Sequence, residues 1–272
     1  MTNLPHIGEL AALATAFCWT ITALAFESAS VRVGSMAVNF IRLFLAVLFL
    51  GAFGLATRGL PLPTDATGPT WLWLSLSGIV GFTIGDLCLF RALVLLGARL
   101  AMLLTALVPP MPALIGWAAL GERRAGTGWA GMALTVGGVA DVVLERRGAD
   151  AERGATAARE RRNGVLLGLV AALGQAVGLI LSKHGMAGYD AFAATQIRAI
   201  AGLAGFAAIF FAVGWWPKVA AALANRPAMA RVGLGAVFGP FLGVSLSLVA
   251  IARTEAGTAA PIMAIVPVLI IA

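Results

Sequence analysis

Residues 98–144 read ARLAMLLTALVPPMPALIGWAALGERRAGTGWAGMALTVGGVADVVL, and this stretch decides the fold. Two apolar segments meet at the hinge Gly121-Glu122-Arg123. The first carries Pro109 and Pro110 in its middle, and the second is rich in Gly. The first segment returns at 258–272, TAAPIMAIVPVLIIA, with Val266-Pro267 where Val108-Pro109 stood. A proline deep in an apolar span is costly in water but tolerated in a membrane helix whose neighbours satisfy the freed carbonyl. Its recurrence marks Pro109 and Pro267 as equivalent helix breaks and the chain as an internal duplication.

Composition agrees with a membrane setting. The chain is 60% hydrophobic and 11% charged, with a mean hydropathy of +0.95. Soluble domains carry roughly 45–50% apolar and about 25% charged residues. The net charge of +7 does not point to nucleic acid, because the Arg residues fall in short connections and there is no soluble domain to carry a binding face. Cys18 and Cys88 both lie inside apolar stretches and read as small buried hydrophobes. With His6 and His184 the only histidines, no zinc site can be assembled, and no cofactor is expected.

Working outward, nine apolar stretches approach the ~20 residues needed to cross a bilayer. They cover 8–26, 36–56, 71–91, 98–120, 126–144, 164–183, 191–214, 229–251 and 256–272. The first is a retained helix and not a signal peptide, since no Lys or Arg precedes it. Residues 145–163 hold six Arg among Ala and Gly with no apolar period, and read as a flexible, solvated linker. The chain thus divides into a first repeat, 1–144, the linker, 145–163, and a second repeat, 164–272.

Offsets make the duplication concrete. At 156 residues, Gly8 meets Gly164 and Ile41-Arg42 meets Ile197-Arg198. At 158, Gly81 and Gly85 meet Gly239 and Gly243, and Val108-Pro109 meets Val266-Pro267. The unit is five spans. An odd number of crossings inserts the second unit upside down, which makes an inverted-topology repeat. By the same register the final residue, Ala272, meets Leu114 in mid-span. The expectation is therefore a truncated product lacking about 30 residues, including a tenth helix.

Trp19 in the first span, Arg42 in the second, the proline-bearing fourth span, the Gly-Glu-Arg after it and the Gly-rich fifth together resemble the EamA-type domain of the drug/metabolite transporter superfamily. The resemblance covers nearly the whole chain. It implies an all-α integral membrane protein of two inverted five-helix repeats, a central cavity, and export or exchange of small metabolites.

Intramembrane charge costs at least ~2.5–3.5 kcal/mol at a helix centre, so such residues are the first candidates for function. Arg42 and Arg198 enter the second and seventh spans by about 9–10 Å at 1.5 Å per residue. Either the two snorkel to the headgroups or they serve the solute pathway. Inversion starts them from opposite membrane faces, so the expectation is that they do not both serve one midplane group directly. Asp86 is the deep carboxylate and a depth-matched partner for Arg42. Its repeat equivalent is Val244, which leaves Arg198 without a matching acid and free to meet an anionic group. Asp86 is then either a structural counter-ion or a proton carrier. Trp19 and its mate Gln175, with Thr22, Thr105, Gln196 and Ser245, complete a candidate cavity lining. Ser and Thr also bond their own helix backbone, and Trp favours interfaces, so each has a structural alternative. The glycines four apart read as close helix packing.

The reading is a secondary transporter of small organic metabolites, such as amino acids or related compounds or drugs, exporting them by alternating access with proton coupling as an option. It is not an enzyme. An intramembrane protease would need Ser and His at depth, and a phosphate-binding Gly-Lys loop is absent. A non-transporting scaffold or sensor is the alternative, with Asp86 and two deep Arg against it. The partners expected are a small-molecule substrate and the lipid bilayer, with a homodimer left open and no nucleic acid. The location expected is the bacterial cytoplasmic membrane. Orientation has two answers. Twelve Lys and Arg flank the linker side and five the other, which puts the N-terminus outside, whereas the family resemblance implies an N-terminus inside.

Overall fold

The computed structural model describes residues 6–108, 110–111, 133–143, 155–186, 188–254 and 256–271. Pro109 and the Gly121-Glu122-Arg123 hinge lie outside the described residues. The described secondary structure is helical. In chain order the elements are α1 (Ile7–Val33), α2 (Ser35–Arg58), α3 (Gly68–Gly78), a π-helical segment (Ile79–Gly85) and α4 (Asp86–Thr105). Then follow α5 (Ala133–Val143), α6 (Ala155–Met186), α7 (Ala191–Val213), α8 (Trp216–Leu223), α9 (Arg226–Ala236), a second π-helical segment (Val237–Gly243), α10 (Val244–Arg253), α11 (Ala256–Met263) and α12 (Val266–Ile271). Among the described residues, six helices are long and apolar enough to cross a membrane.

Element ends follow local chemistry. Gly34 (φ 87°) breaks α1 from α2, and Gly59 closes α2 in the left-handed conformation. Asp190 caps α7 by accepting from the Ala193 amide at 2.9 Å, and Asn225 caps α9 by accepting from Ala228 at 3.1 Å. Within α4 the helix is interrupted at Gly97, whose φ of 77° and ψ of 165° are non-helical, so the third expected span ends before it and the fourth restarts after it as far as it is described. The expected linker is helical from Ala155, which corrects its flexible reading over 155–163, while these residues stay mostly exposed. Ala, Arg and Glu are good helix formers, and they extend α6 by nine residues ahead of its apolar part. The short α8, between the seventh and eighth spans, had no counterpart in the sequence reading.

The duplication is written into the irregularities. The two π-helical segments, Ile79–Gly85 and Val237–Gly243, fall 158 residues apart at both ends. The helix before Pro109 tightens over 106–108, with Val108 N–H donating to Thr105 O at 2.9 Å, and the chain before Pro267 turns at 264–265. A proline supplies no N–H and crowds the preceding turn, so the helix yields at the same register in both halves.

The halves are intertwined rather than side by side. The α3–π rod of the first half packs on α6, and the α9–π–α10 rod of the second packs on α1. Glycines permit both crossings. A Cβ on Gly178 would stand 3.2 Å from the Gly81 Cα, and one on Gly174 would stand 3.1 Å from the Gly85 Cα. In the equivalent crossing, a Cβ on Gly239 would meet Thr22 at 2.9 Å and one on Gly243 would meet Trp19 at 2.8 Å. The inner faces are small and the outer faces large. On α1, Ala12, Ala16 and Ala23 are buried while Leu10, Leu13, Phe17 and Leu24 are exposed. Lipid is as apolar as Leu, so interior packing comes from close backbone approach, not from burying bulk.

Candidate functional site

Where the two crossings converge, the bundle holds a cavity of about 130 Å³. Its wall is built from equivalent positions of the two repeats. Trp19 is matched by Gln175, Arg42 by Arg198, Phe82 by Pro240, Asp86 by Val244, Leu89 by Ser247 and Thr105 by Met263, all of them lining residues. The first two pairs are 156 residues apart and the other four are 158 apart. The cavity therefore lies on the pseudo-twofold axis. The π-helical segments present Phe82 and Pro240 to it, and the breaks in the proline-bearing helices present Val108 and Ala264.

Arg42, Asp86 and Arg198 are each 4% exposed, so neither Arg snorkels. Asp86 Oδ2 is paired with the Arg42 guanidinium in a salt bridge, and Asp86 Oδ1 accepts from Gln175 Nε2 at 2.7 Å. Asn39, one turn before Arg42 on α2, ties this pair to the backbone. Its Oδ1 accepts from Arg42 Nε at 3.0 Å and its Nδ2 donates to the Asp86 carbonyl at 3.3 Å. The Arg42 guanidinium lies over the Phe90 ring, 4.8 Å from its centroid, and against Phe26 at 5.6 Å. Pairing, hydrogen bonding and ring contacts together make a buried charge tolerable.

Arg198 is held differently. Its guanidinium lies 4.8 Å from the Phe82 ring centroid, and Arg42 approaches the same ring at 5.8 Å. Among the described residues Arg198 makes no hydrogen bond and no ion pair, and its Nε is buried without a partner. It does lie within Coulombic reach of Asp86. Both guanidiniums thus reach one cavity wall beside the same ring, although inversion was expected to keep them from both serving one midplane group directly. Each enters about 9–10 Å from its own face, and a long side chain carries its charged end onward to the middle.

Of the other sequence candidates, Trp19, Thr22, Thr105 and Gln175 line the cavity. Thr105 Oγ1 donates to the Met102 carbonyl at 2.6 Å within its own helix. Gln196 and Ser245 do not line it. Gln196 Nε2 donates to the Pro61 carbonyl at 2.8 Å, which ties α7 to the loop after α2. Ser245 Oγ is buried without a hydrogen-bond partner among the described residues, one residue from the lining residue Val244. Pro267 is buried at the start of α12 and is absent from the cavity wall. The glycine reading holds at all four crossing positions.

Sequence reasoning missed Asn39, Phe26, Phe82 and Phe90. Asn39 was visible as a polar residue three before Arg42 on the same helix face; the aromatics were three among fourteen Phe. It also missed a polar cluster at one end of the bundle. Arg58 pairs with Asp65 and donates to Tyr189 Oη at 3.3 Å, and Tyr189 Oη donates to Asp65 Oδ1 at 2.7 Å. The Tyr189 hydrogen bond, with Arg58 behind it, holds the exposed Asp65 carboxyl below the usual carboxylate value, against a partial desolvation. This cluster joins a loop of the first half to a loop of the second. Among the described residues, no three His, Cys, Asp or Glu side chains gather as a metal site would require.

Comparison with curated proteins gives no match. Among solved structures the chain is similar to one titled "Crystal structure of protein", with 21% identity over 96% of this chain and 97% of that one and a TM-score of 0.53. That likeness speaks for the fold alone. The model of the EamA-like transporter family matches residues 6–144 and 162–272, one match to each half of the duplication. With two matches covering nearly its whole length, the chain belongs to the EamA-like transporter family and is a multi-pass membrane protein.

Proposed function

We propose that this protein is a secondary transporter that exports small organic metabolites across the bacterial cytoplasmic membrane by alternating access. The observation that carries the reading is the cavity on the pseudo-twofold axis, walled by equivalent residues of two inverted repeats and holding three buried charges. A site on such an axis is reached from either face by rocking one half against the other. The thin glycine crossings supply surfaces on which that rocking requires little repacking. Trp19 and Gln175 offer an aromatic face and an amide edge to the solute. Asp86 serves as fixed counter-ion to Arg42 rather than as proton carrier, because both of its oxygens are engaged.

The test is reconstitution. Proteoliposomes are loaded with a mixture of amino acids, organic acids and amines, and efflux is followed by mass spectrometry. At least one solute leaves faster than from protein-free vesicles, saturably, and Trp19→Ala slows it. Efflux equal to that of empty vesicles for every solute would overturn the reading.

A further inference from the structure

The charges around the cavity do not balance. Among the described residues two guanidiniums, Arg42 and Arg198, stand against one carboxylate, Asp86, which leaves one positive charge in a largely apolar space. The distribution of hydrogen bonds shows where that charge is available. Asp86 is fully engaged, with Oδ2 on Arg42 and Oδ1 on Gln175. Arg42 is engaged through Nε on Asn39 and Nη2 on Asp86. Arg198 makes no hydrogen bond to any described residue, although a guanidinium carries five N–H donors in a planar fork. Its contact is the Phe82 ring, which holds the group in place without using its donors.

An unpaired guanidinium at membrane depth is costly, and that cost falls when an anion arrives. The rest of the described wall is mostly apolar, with Phe26, Leu93, Met102 and Val244 beside the uncharged hydroxyl residues Thr22, Thr105 and Ser247. Asp86 is the only acid in the described wall. A substrate ammonium group would therefore find no free carboxylate, and would add a second positive charge beside Arg198.

We propose that the cavity selects a small organic monoanion, an apolar carboxylate whose carboxyl group lies on the Arg198 guanidinium, over the zwitterion and the amine of the same carbon skeleton. This deepens the transporter reading and rests on it. The planar fork of Arg matches a carboxylate through two parallel hydrogen bonds, which a Lys cannot reproduce.

Three probes share one six-carbon skeleton: 4-methylpentanoate, leucine and 4-methylpentylamine. Their binding to the purified full chain in detergent is measured by calorimetry and by thermal shift. The wild type binds 4-methylpentanoate at least about tenfold more tightly than leucine, and the amine more weakly still. Arg198→Lys weakens the anion and narrows its lead over leucine, and Arg198→Gln abolishes the lead. The comparison within the wild type stands even where a variant fails to fold. Leucine or the amine binding as tightly as the anion overturns the proposal. So does a wild-type preference kept by both variants, or no binding by any probe at about 10 mM. Binding is read separately from transport. The expected order without efflux in proteoliposomes removes the transporter reading and leaves the anion site, and efflux of a zwitterion or amine alone does the reverse.

Discussion

Arg42 and Arg198 occupy equivalent places in the two repeats, yet one is neutralised and the other is not. Arg42 faces Asp86, whereas the residue placed to face Arg198 in the same way is Val244. The two repeats bring equivalent positions to this site, but not equivalent chemistry. A symmetric frame allows both faces of the membrane to see the same cavity, and an asymmetric charge gives that cavity a sign.

Removing one member of the buried pair exposes the other. Asp86→Asn leaves Arg42 buried without its counter-charge and costs on the order of 3–5 kcal/mol. The double variant Arg42→Gln/Asp86→Asn recovers much of that loss, because two neutral amides need no counter-charge. Thermal midpoints of the two single variants and the double variant in detergent give the coupling directly. Midpoints that simply add would show that the pair contributes nothing as a pair.

The double variant also separates the two readings of Asp86. If Asp86 is a counter-ion, solute efflux driven by a pH gradient survives in the folded double variant at a rate comparable to wild type. Retained efflux down a solute gradient with no response to the pH gradient would assign Asp86 to proton movement instead.

The glycine crossings predict a positional pattern. Gly178→Val places bulk against the Gly81 backbone, where even a Cβ would stand at 3.2 Å, and costs about 1–3 kcal/mol by forcing the helices apart. Gly137→Ala, with nothing within 4 Å of the added atom, leaves the midpoint unchanged or slightly raised. A midpoint for Gly178→Val as high as that for Gly137→Ala would argue that helix propensity and not packing governs these positions.

Ser245 predicts a gain. Its hydroxyl is fully buried and has no hydrogen-bond partner among the described residues, so the folded protein bears its desolvation without return. Ser245→Ala raises stability by about 1 kcal/mol, read as a higher thermal midpoint.

The Arg58–Asp65–Tyr189 cluster predicts a pH response outside the membrane core. A carboxyl held below its usual value stabilises the folded form while ionised, and that contribution is lost as pH falls through the lowered value. The tie between the two loops therefore persists at neutral pH and releases in acid, below the ordinary carboxylate range. Hydrogen exchange over residues 60–66, compared at each pH with Asp65→Asn, reports this. The wild type is protected relative to the variant at neutral pH, and the difference closes in acid.

Much of the frame was legible in the chain. The mid-span prolines, the paired glycines and the offset of 156 to 158 residues are local, one-dimensional signals, and each marks an event that occurs wherever such a helix folds. The depth match of Arg42 and Asp86 was readable for the same reason, since helix rise converts residue number into depth.

The sequence by itself determined a duplicated, all-helical membrane protein, because bilayer thickness and backbone hydrogen bonding leave few other solutions for nine apolar stretches. What lay across a helix pair was decided only in three dimensions. That the third rod of each half crosses the first helix of the other depends on which glycine faces meet. That Arg198 joins Arg42 beside Phe82, while Gln196 and Ser245 turn elsewhere, depends on helix rotation and on the π-helical segments, which shift the facing side of the rod within one turn. Depth is a property of one helix and can be counted along the chain. Facing is a property of two, and it is fixed by packing that brings together residues more than a hundred positions apart.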